Sequence, residues 1–216
     1  AEHLVTVSHF SARELAEVLR LDAGKFVVAG CAANAITEAA ERRPDLELPE
    51  SFCLVVGTLA VHKNLAEPLE AIAGSGRDVV VVGISGNQQV FSSTAAVDEH
   101  AIVPGRLSDG ELVWLYRHAT ALVFPSKYEG FGLPPLEAQG LGCVVVSSNA
   151  ASLPEICGDA ALYFDPDDAG QLLSQLDRLD ADPALGEDLR RRGLVNAQRF
   201  SWSESAAKIL EVVGIR

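Results

Sequence analysis

Short, continuous runs of apolar, mostly β-branched residues recur along the chain and constrain its fold more than any other feature. They are LVTV (4–7), KFVVAG (25–30), FCLVVG (52–57), DVVVVG (78–83), AIVPG (101–105), TALVFPS (120–126) and CVVVSS (143–148). A strand with one wet face alternates apolar and polar residues, whereas these runs do not alternate and end in Gly, Pro or Ser, as strands buried on both faces do. Between them lie amphipathic segments such as NLAEPLEAIAG (64–74) and DGELVWLYRHA (109–119), the second opened by Ser108 or Asp109 as N-cap. Strands alternating with helices predict an α/β fold with a Rossmann-like, doubly wound parallel sheet. Such sheets bind ligands beyond the C-terminal ends of their strands, where loops lead into helices.

From about Asp167 the pattern is helical throughout: DAGQLLSQLDRL, PALGEDLRRRGLVNAQRF and SWSESAAKILEVV, with Ser201 and Glu204 at capping-box spacing. Residues 39–51, AAERRPDLELPES, are charged and hold two prolines, which reads as a linker. The expected organisation is a short N-terminal piece (1–38), the linker (39–51) and a main domain (52–216) with C-terminal helices from about 182. No internal repeat is visible.

Charge narrows the function classes. Lys and Arg number 17 against 30 Asp and Glu, and the net charge of -13 argues against a nucleic-acid or anionic-membrane surface. Any phosphate site must be local. The four cysteines, Cys31, Cys53, Cys143 and Cys157, form no CxxC pair and read as free thiols in a reducing compartment. No apolar run is long enough to span a bilayer, and AEHLVTVSHF lacks the basic start of a signal peptide, so a cytoplasmic location is expected. The chain has no Met and begins at Ala1, as it would after removal of an initiator Met or after excision from a longer protein.

The stretch SKYEGFGLPPLEAQGLG (126–142) carries the densest chemistry. Strand TALVFPS ends at Ser126, the Gly130-Phe131-Gly132 turn follows, and Pro134 suits the first helical position, where its missing N–H is not needed. Glu137 then falls in the first turn of a helix pointing its N-terminus at the ligand edge of the sheet. Bare glycines let backbone N–H groups approach a diphosphate, and a carboxylate one turn into the helix accepts hydrogen bonds from vicinal ribose hydroxyls. Glu129, ahead of the turn, would face whatever hangs from the far end of the diphosphate. On spacing alone an alternative stands: a tight turn, a dipole-complementing acid and a solvated loop charge. A second stretch, VVGTLAVHKNL (55–65), ends a strand at Gly57 and sets Thr58, His62 and Lys63 ahead of a helix beginning near Asn64. Lys63 there can act as a point charge on a diphosphate.

Together these stretches, with VTVSHFS, PGRLSDGELVWLYRHATALVFPSKYEGFGLPPLEAQGLG, VVSSNAASLPEICGDAALYFDPDD and the late FSW, resemble the retaining glycosyltransferases of family 4, the GT-B group also called glycosyltransferases group 1. The E-x7-E spacing from Glu129 to Glu137 carries the resemblance most specifically. It implies that Glu137 binds the ribose, that Glu129 contacts the donor sugar, and that Lys63 with the amides of the Gly130-Phe131-Gly132-Leu133 turn holds the diphosphate. Arg106 falls where the family lines the base pocket, mostly through backbone. The family transfers a sugar with retention of configuration and needs no metal, so DPDD (165–168) reads as a loop with a helix N-cap. Where relatives often carry Arg and a second basic residue, this chain has Thr58 and His62, which places more of the diphosphate on Lys63.

A GT-B enzyme has two Rossmann-like domains with the active site between them, and residues 1–38 resemble only the last part of the first. The resemblance therefore implies the donor-binding C-terminal half of a GT-B fold, which takes a nucleoside diphosphate sugar and serves a glycan or lipid-linked acceptor bound by a missing N-terminal domain or partner subunit. That half could lie at the inner face of a membrane through the missing domain. GDP-mannose is favoured as donor over UDP-sugars. The alternative is a non-catalytic assembly or nucleotide-binding subunit that kept the fold. A nicotinamide oxidoreductase is disfavoured, because VVGISGN (81–87) lacks the G-x-G-x-x-G spacing and reads as a turn bordering the donor cleft.

Overall fold

The structure, a computed structural model, describes residues 2–58, 60–83 and 99–214, with the backbone alone at 34 and 35. The reading of VVGISGN beyond Gly83 lies outside the described residues. Among the described residues there are two parallel sheets. Strands β1 (Leu4–Thr6) and β2 (Phe26–Val28) pair in parallel, Leu4 opposite Phe26, joined through helix α1 (His9–Leu19). The larger sheet has six strands: β3 (Cys53–Val56), β4 (Val79–Val82), β5 (Ala101–Ile102), β6 (Ala121–Phe124), β7 (Val145–Ser148) and β8 (Leu162–Phe164). Every pairing is parallel, and the spatial order is β5-β4-β3-β6-β7-β8. The chain thus builds outward from β3 in one direction, returns, and builds outward from β6 in the other.

Alternate residues of the same strands feed two cores, one on each face. Leu54, Val80, Leu122 and Val145 pack against helices α4 (Asp109–His118), α5 (Leu133–Gly140) and α6 (Leu153–Cys157), through Val113, Tyr116, Ala138 and Leu153. Their neighbours Val55, Val79, Val81, Val123 and Val146 pack against α3 (Ala66–Gly74), α7 (Ala169–Ala181) and α8 (Pro183–Ala197), through Leu69, Ile72, Leu172, Leu176 and Leu189. A strand with both faces dry has no place for polar alternation, which is why the runs read as continuous. Burial of each such side chain contributes roughly 1.5–3 kcal/mol, and this drives the two-sided wrapping. The doubly wound parallel sheet expected from the sequence is the observed fold.

Local signals set most helix starts. Ser108 and Glu111 form a complete capping box at α4, Asp168 caps α7 and Asp182 caps α8. DPDD is therefore a loop closing on an N-cap, as expected. Ser201 caps α9 (Trp202–Val212) by accepting from the Glu204 amide. That helix returns to the small sheet, where the Ser205 hydroxyl donates to the Ala29 carbonyl of the β2 exit.

Several expectations shift. Strand β8 and helices α2 (Asn34–Thr37) and α6 were not foreseen from the sequence, each being five residues or shorter. Helix α3 starts at Ala66 rather than near Asn64, because Asn64 adopts a left-handed conformation (φ 52°) that no helix can continue. Helix α5 starts at Leu133 with Gly132 as N-cap, so Pro134 is its second residue. Glu137 accordingly lies just past the first turn.

Residues 39–51 contain no helix or strand, yet they are fastened to α4. Arg42 N–H donates to the Gly110 carbonyl, Arg42 pairs with Glu111 at 2.8 Å and Arg117 with Glu41 at 2.6 Å. A Cβ at Gly110 would stand 2.4 Å from the Ala40 carbonyl, so only glycine admits this approach. Among the described residues, no helix is long and apolar enough to cross a membrane.

Candidate functional site

The strand order reverses between β3 and β6, and the crevice outside the C-terminal ends of these two neighbours is where ligands enter sheets of this kind. The loop after β3 carries Gly57, Thr58, His62 and Lys63, and the loop after β6 carries Glu129 to Leu133. Both stretches singled out in the sequence therefore converge on one crevice, although 66 positions separate Lys63 from Glu129.

Lys63 ends a single 3-10 turn, Val61–Lys63, held by its N–H donating to the Ala60 carbonyl at 2.8 Å. Asn64 secures the turn from behind: its side-chain amide donates to the Pro166 carbonyl at 2.7 Å and to Pro125 at 3.4 Å. The Lys127 N–H donates to the His62 carbonyl at 2.8 Å, tying the two loops together. Lys63 Nζ lies 5.2 Å from the Phe124 ring centroid and makes an ion pair with Glu129 Oε1 at 2.6 Å. The two side chains are only 17% and 14% exposed, so the pair is mostly shielded from water.

Serines hold the carboxylate loop. Ser152 Oγ lies 2.9 Å from the Glu129 carbonyl and 2.8 Å from that of Phe131. From the small sheet, the hydroxyls of Ser8 and Ser11 reach the Gly130 carbonyl at 2.6 and 3.0 Å. Glu155 completes the tie by accepting from the His9 and Phe10 amides at 2.8 and 3.0 Å, which caps α1 from α6. Gly132 has φ 107°, and a Cβ there would stand 2.8 Å from Leu153 Cδ2. Gly130 has no such need, as its Cβ would meet nothing closer than Ser11 Oγ at 3.5 Å. Pro134 and Pro135 bring no N–H, so Gly132 and Leu133 supply the donors at the helix start, and neither amide has an acceptor among the described residues.

Glu137 is half-buried and accepts a hydrogen bond from Tyr116 Oη at 3.0 Å. Burial pushes its carboxyl above the usual range, the nearby Asp109 charge adds to this, and the Tyr116 hydrogen bond partly offsets both. Burial likewise drives the Tyr116 phenol well above its ordinary value, keeping it a donor to Glu137. One Glu137 oxygen is fixed and the carboxylate is held at an electrostatic cost, as at sites that await a hydrogen-bonding ligand. Ser126, at the end of the β6 run, is 1% exposed and its Oγ has no partner among the described residues.

The remaining candidates are more loosely placed. Thr58 and His62 are exposed beside Lys63, and Gly57 donates to the Val82 carbonyl at the end of the neighbouring strand. Phe131 is buried, edge-on to Phe200, and so anchors the turn rather than facing the crevice. Arg106 is exposed in the loop before α4. The supporting residues Ser8, Ser11, Asn64, Tyr116, Ser152 and Glu155 escaped the sequence reading. Only their hydrogen-bonding side chains hinted at a role, and that signal is shared with any polar surface residue. Burial pushes the Cys53, Cys143 and Cys157 thiols up to about 12, and all four cysteines are unpaired.

Comparison with known proteins agrees with this architecture. The sequence family described as glycosyl transferases group 1 matches residues 37–196. The O-antigen chain mannosyltransferase B of Escherichia coli is 30% identical over 97% of this chain and 60% of its own length. The D-inositol 3-phosphate glycosyltransferase of Acidothermus cellulolyticus is also 30% identical, over 98% of this chain and 53% of its own. Sucrose-phosphate synthase from Thermosynechococcus elongatus shares the fold with a TM-score of 0.80 at 24% identity, over 99% of this chain and 58% of that structure. The chain thus spans a little over half the length of these relatives. With the family match covering most of the sheet and every strand of the crevice, the chain belongs to the glycosyl transferases group 1 family.

Proposed function

We propose that the chain is the nucleotide-sugar-binding half of a retaining hexosyltransferase, which moves a hexose from a nucleoside diphosphate sugar to a glycan or lipid-linked acceptor. The observation that carries this reading is the convergence of Lys63, Glu129 and the Gly132–Leu133 amides at the switch point of the sheet, with Glu137 one turn further on. In the proposed complex, Glu137 takes the ribose hydroxyls with its free oxygen while Tyr116 holds the other. Lys63 and the two amides meet the diphosphate, and the dipole of α5 reinforces them. Glu129 turns to the sugar hydroxyls. As the bond from the anomeric carbon to the β-phosphate oxygen breaks, the departing oxygen keeps the electron pair, and Lys63 with the amides stabilises the growing charge without a metal.

Several relatives are named mannosyltransferases, including the one from Escherichia coli, which favours GDP-mannose over UDP-sugars as donor. In this reading the acceptor and the remaining catalytic groups belong to a second half, and the relatives are longer than the part of them that this chain spans. That half is a preceding domain or a partner subunit, and the expected transfer by residues 1–216 alone is slight.

Calorimetric titration with GDP, UDP, ADP and TDP, without added metal, tests the reading. Selective binding at millimolar or tighter Kd, abolished by Glu137→Ala, is the expected result. Silence from every nucleotide with the chain folded overturns it. The exposed Thr58 and His62, at positions where the resemblance implies basic residues, would then favour a non-catalytic assembly subunit.

A further inference from the structure

In the proposed complex Lys63 and Glu129 serve different parts of one ligand, yet they are bonded to each other at 2.6 Å. We propose that this pair makes Glu129 a specificity-determining residue that selects the sugar-bearing nucleotide over the spent nucleoside diphosphate. The inference rests on the donor-site reading above and goes beyond it.

The physics is a competition for one cation. With both side chains more than four-fifths shielded, neither charge can be left bare without a large desolvation cost, so Lys63 changes partners only when Glu129 also finds one. A sugar-bearing diphosphate satisfies both ends at once, because its phosphates accept from the ammonium while its sugar hydroxyls donate to the carboxylate. A bare nucleoside diphosphate satisfies only Lys63 and strands the Glu129 carboxylate beside a second anion. Binding of the spent nucleotide is therefore scaled down to the fraction of time that Lys63 is free of Glu129. Once the sugar has left, Glu129 reclaims Lys63 and hastens release of the nucleotide.

The geometry leaves Glu129 few ways to avoid this. Its carbonyl is fixed by Ser152, and the next residue's carbonyl is fixed by Ser8 and Ser11, so the backbone cannot swing the carboxylate away. Lys63 is equally confined, with Asn64 tied to Pro166 behind it and the Phe124 ring beneath its ammonium. The pair is thus a contact between two anchored loops.

The test compares GDP with GDP-mannose and UDP with UDP-glucose by calorimetry on the whole chain. In Glu129→Gln, the bare diphosphate that binds wild type is expected to bind about tenfold more tightly, the gain from a lysine otherwise free about one-tenth of the time. Its sugar conjugate is expected to lose its advantage over the bare nucleotide. In a Lys63→Ala background the same Glu129→Gln change is expected to give a clearly smaller gain, since the cation competed for is gone and only the carboxylate's repulsion of the diphosphate is relieved. Glu129→Asp, which keeps the charge on a shorter arm, provides a second variant and should give a smaller gain. Equal or weaker diphosphate binding by folded Glu129→Gln and Glu129→Asp, with wild type binding and Glu137→Ala silent, overturns the selection role and leaves the donor site standing. Absence of nucleotide binding by wild type overturns both.

Discussion

Glu137 shows how a single carboxylate can sit in the fold at the expense of stability. Its raised pKa means that the folded chain holds the Glu137 proton more tightly than the unfolded chain does. The associated stability is fully present below the ordinary glutamate value of about 4.3 and is lost as pH rises through the higher folded value. Glu137→Gln, which keeps an acceptor for Tyr116 but carries no charge, is therefore expected to raise the thermal midpoint at pH 7. The difference should shrink as pH falls toward 4, and calorimetric scans across that range measure it. If wild type and variant differ by the same amount at every pH, the carboxylate is not strained. At this scale the sequence was informative about identity and poor on environment. The residue types of the E-x7-E stretch marked both acids, but nothing local to Glu137 indicates Tyr116, 21 positions earlier on a helix whose apolar stripe hides the phenol.

At the scale of elements, the turn into α5 separates two glycines that look alike in sequence. Gly132 combines φ 107° with a Cβ position 2.8 Å from Leu153, whereas Gly130 has ordinary clearance. Gly132→Ala is expected to destabilise the fold by roughly 1–3 kcal/mol, as strained left-handed backbone does, and Gly130→Ala by no more than about 0.5 kcal/mol. Urea midpoints at constant m-value check both, and equal midpoints for the two variants would contradict the assignment. The same scale explains which elements were legible. Strands β3, β4, β6 and β7 are each buried on both faces, so their apolar runs have no competing interpretation. Strand β8 and helix α6 span three and five residues, too few for any period to emerge. The sequence puts Pro134 at the first helical position and the structure at the second, because a proline is tolerated throughout the first helical turn and only the backbone of Gly132 sets where that turn begins.

Across the whole molecule, the small sheet and the large one are joined at the site itself. Glu155 caps α1 across 146 positions, Ser8 and Ser11 grip the Gly130 carbonyl, and α9 returns from the C-terminal end to bond Ala29. The N-terminal piece is thereby built into the support of the Glu129 loop. Glu155→Gln retains one acceptor oxygen for two amides and removes the charge favoured at a helix N-terminus, an expected loss of about 1 kcal/mol. Hydrogen exchange should quicken at His9 and Phe10 while the amides of α7 and α8 stay as slow as in wild type. Exchange unchanged at His9 and Phe10 would show that the cap is not holding α1.

Local sequence was enough to specify the parallel doubly wound sheet, the position of most strands, the caps at Ser108 and Ser201, and the two stretches that carry the candidate site. These are written in burial pattern, hydrogen-bonding side chains near helix starts and residue spacing, all of which act within a turn or two of chain. The strand order that brings Lys63 to Glu129, the Tyr116 bond to Glu137, and the serine and Glu155 ties that brace the loop come from long-range packing alone. Those contacts join residues that are distant in sequence. Their energies depend on which strand lies beside which, and no local propensity encodes that choice.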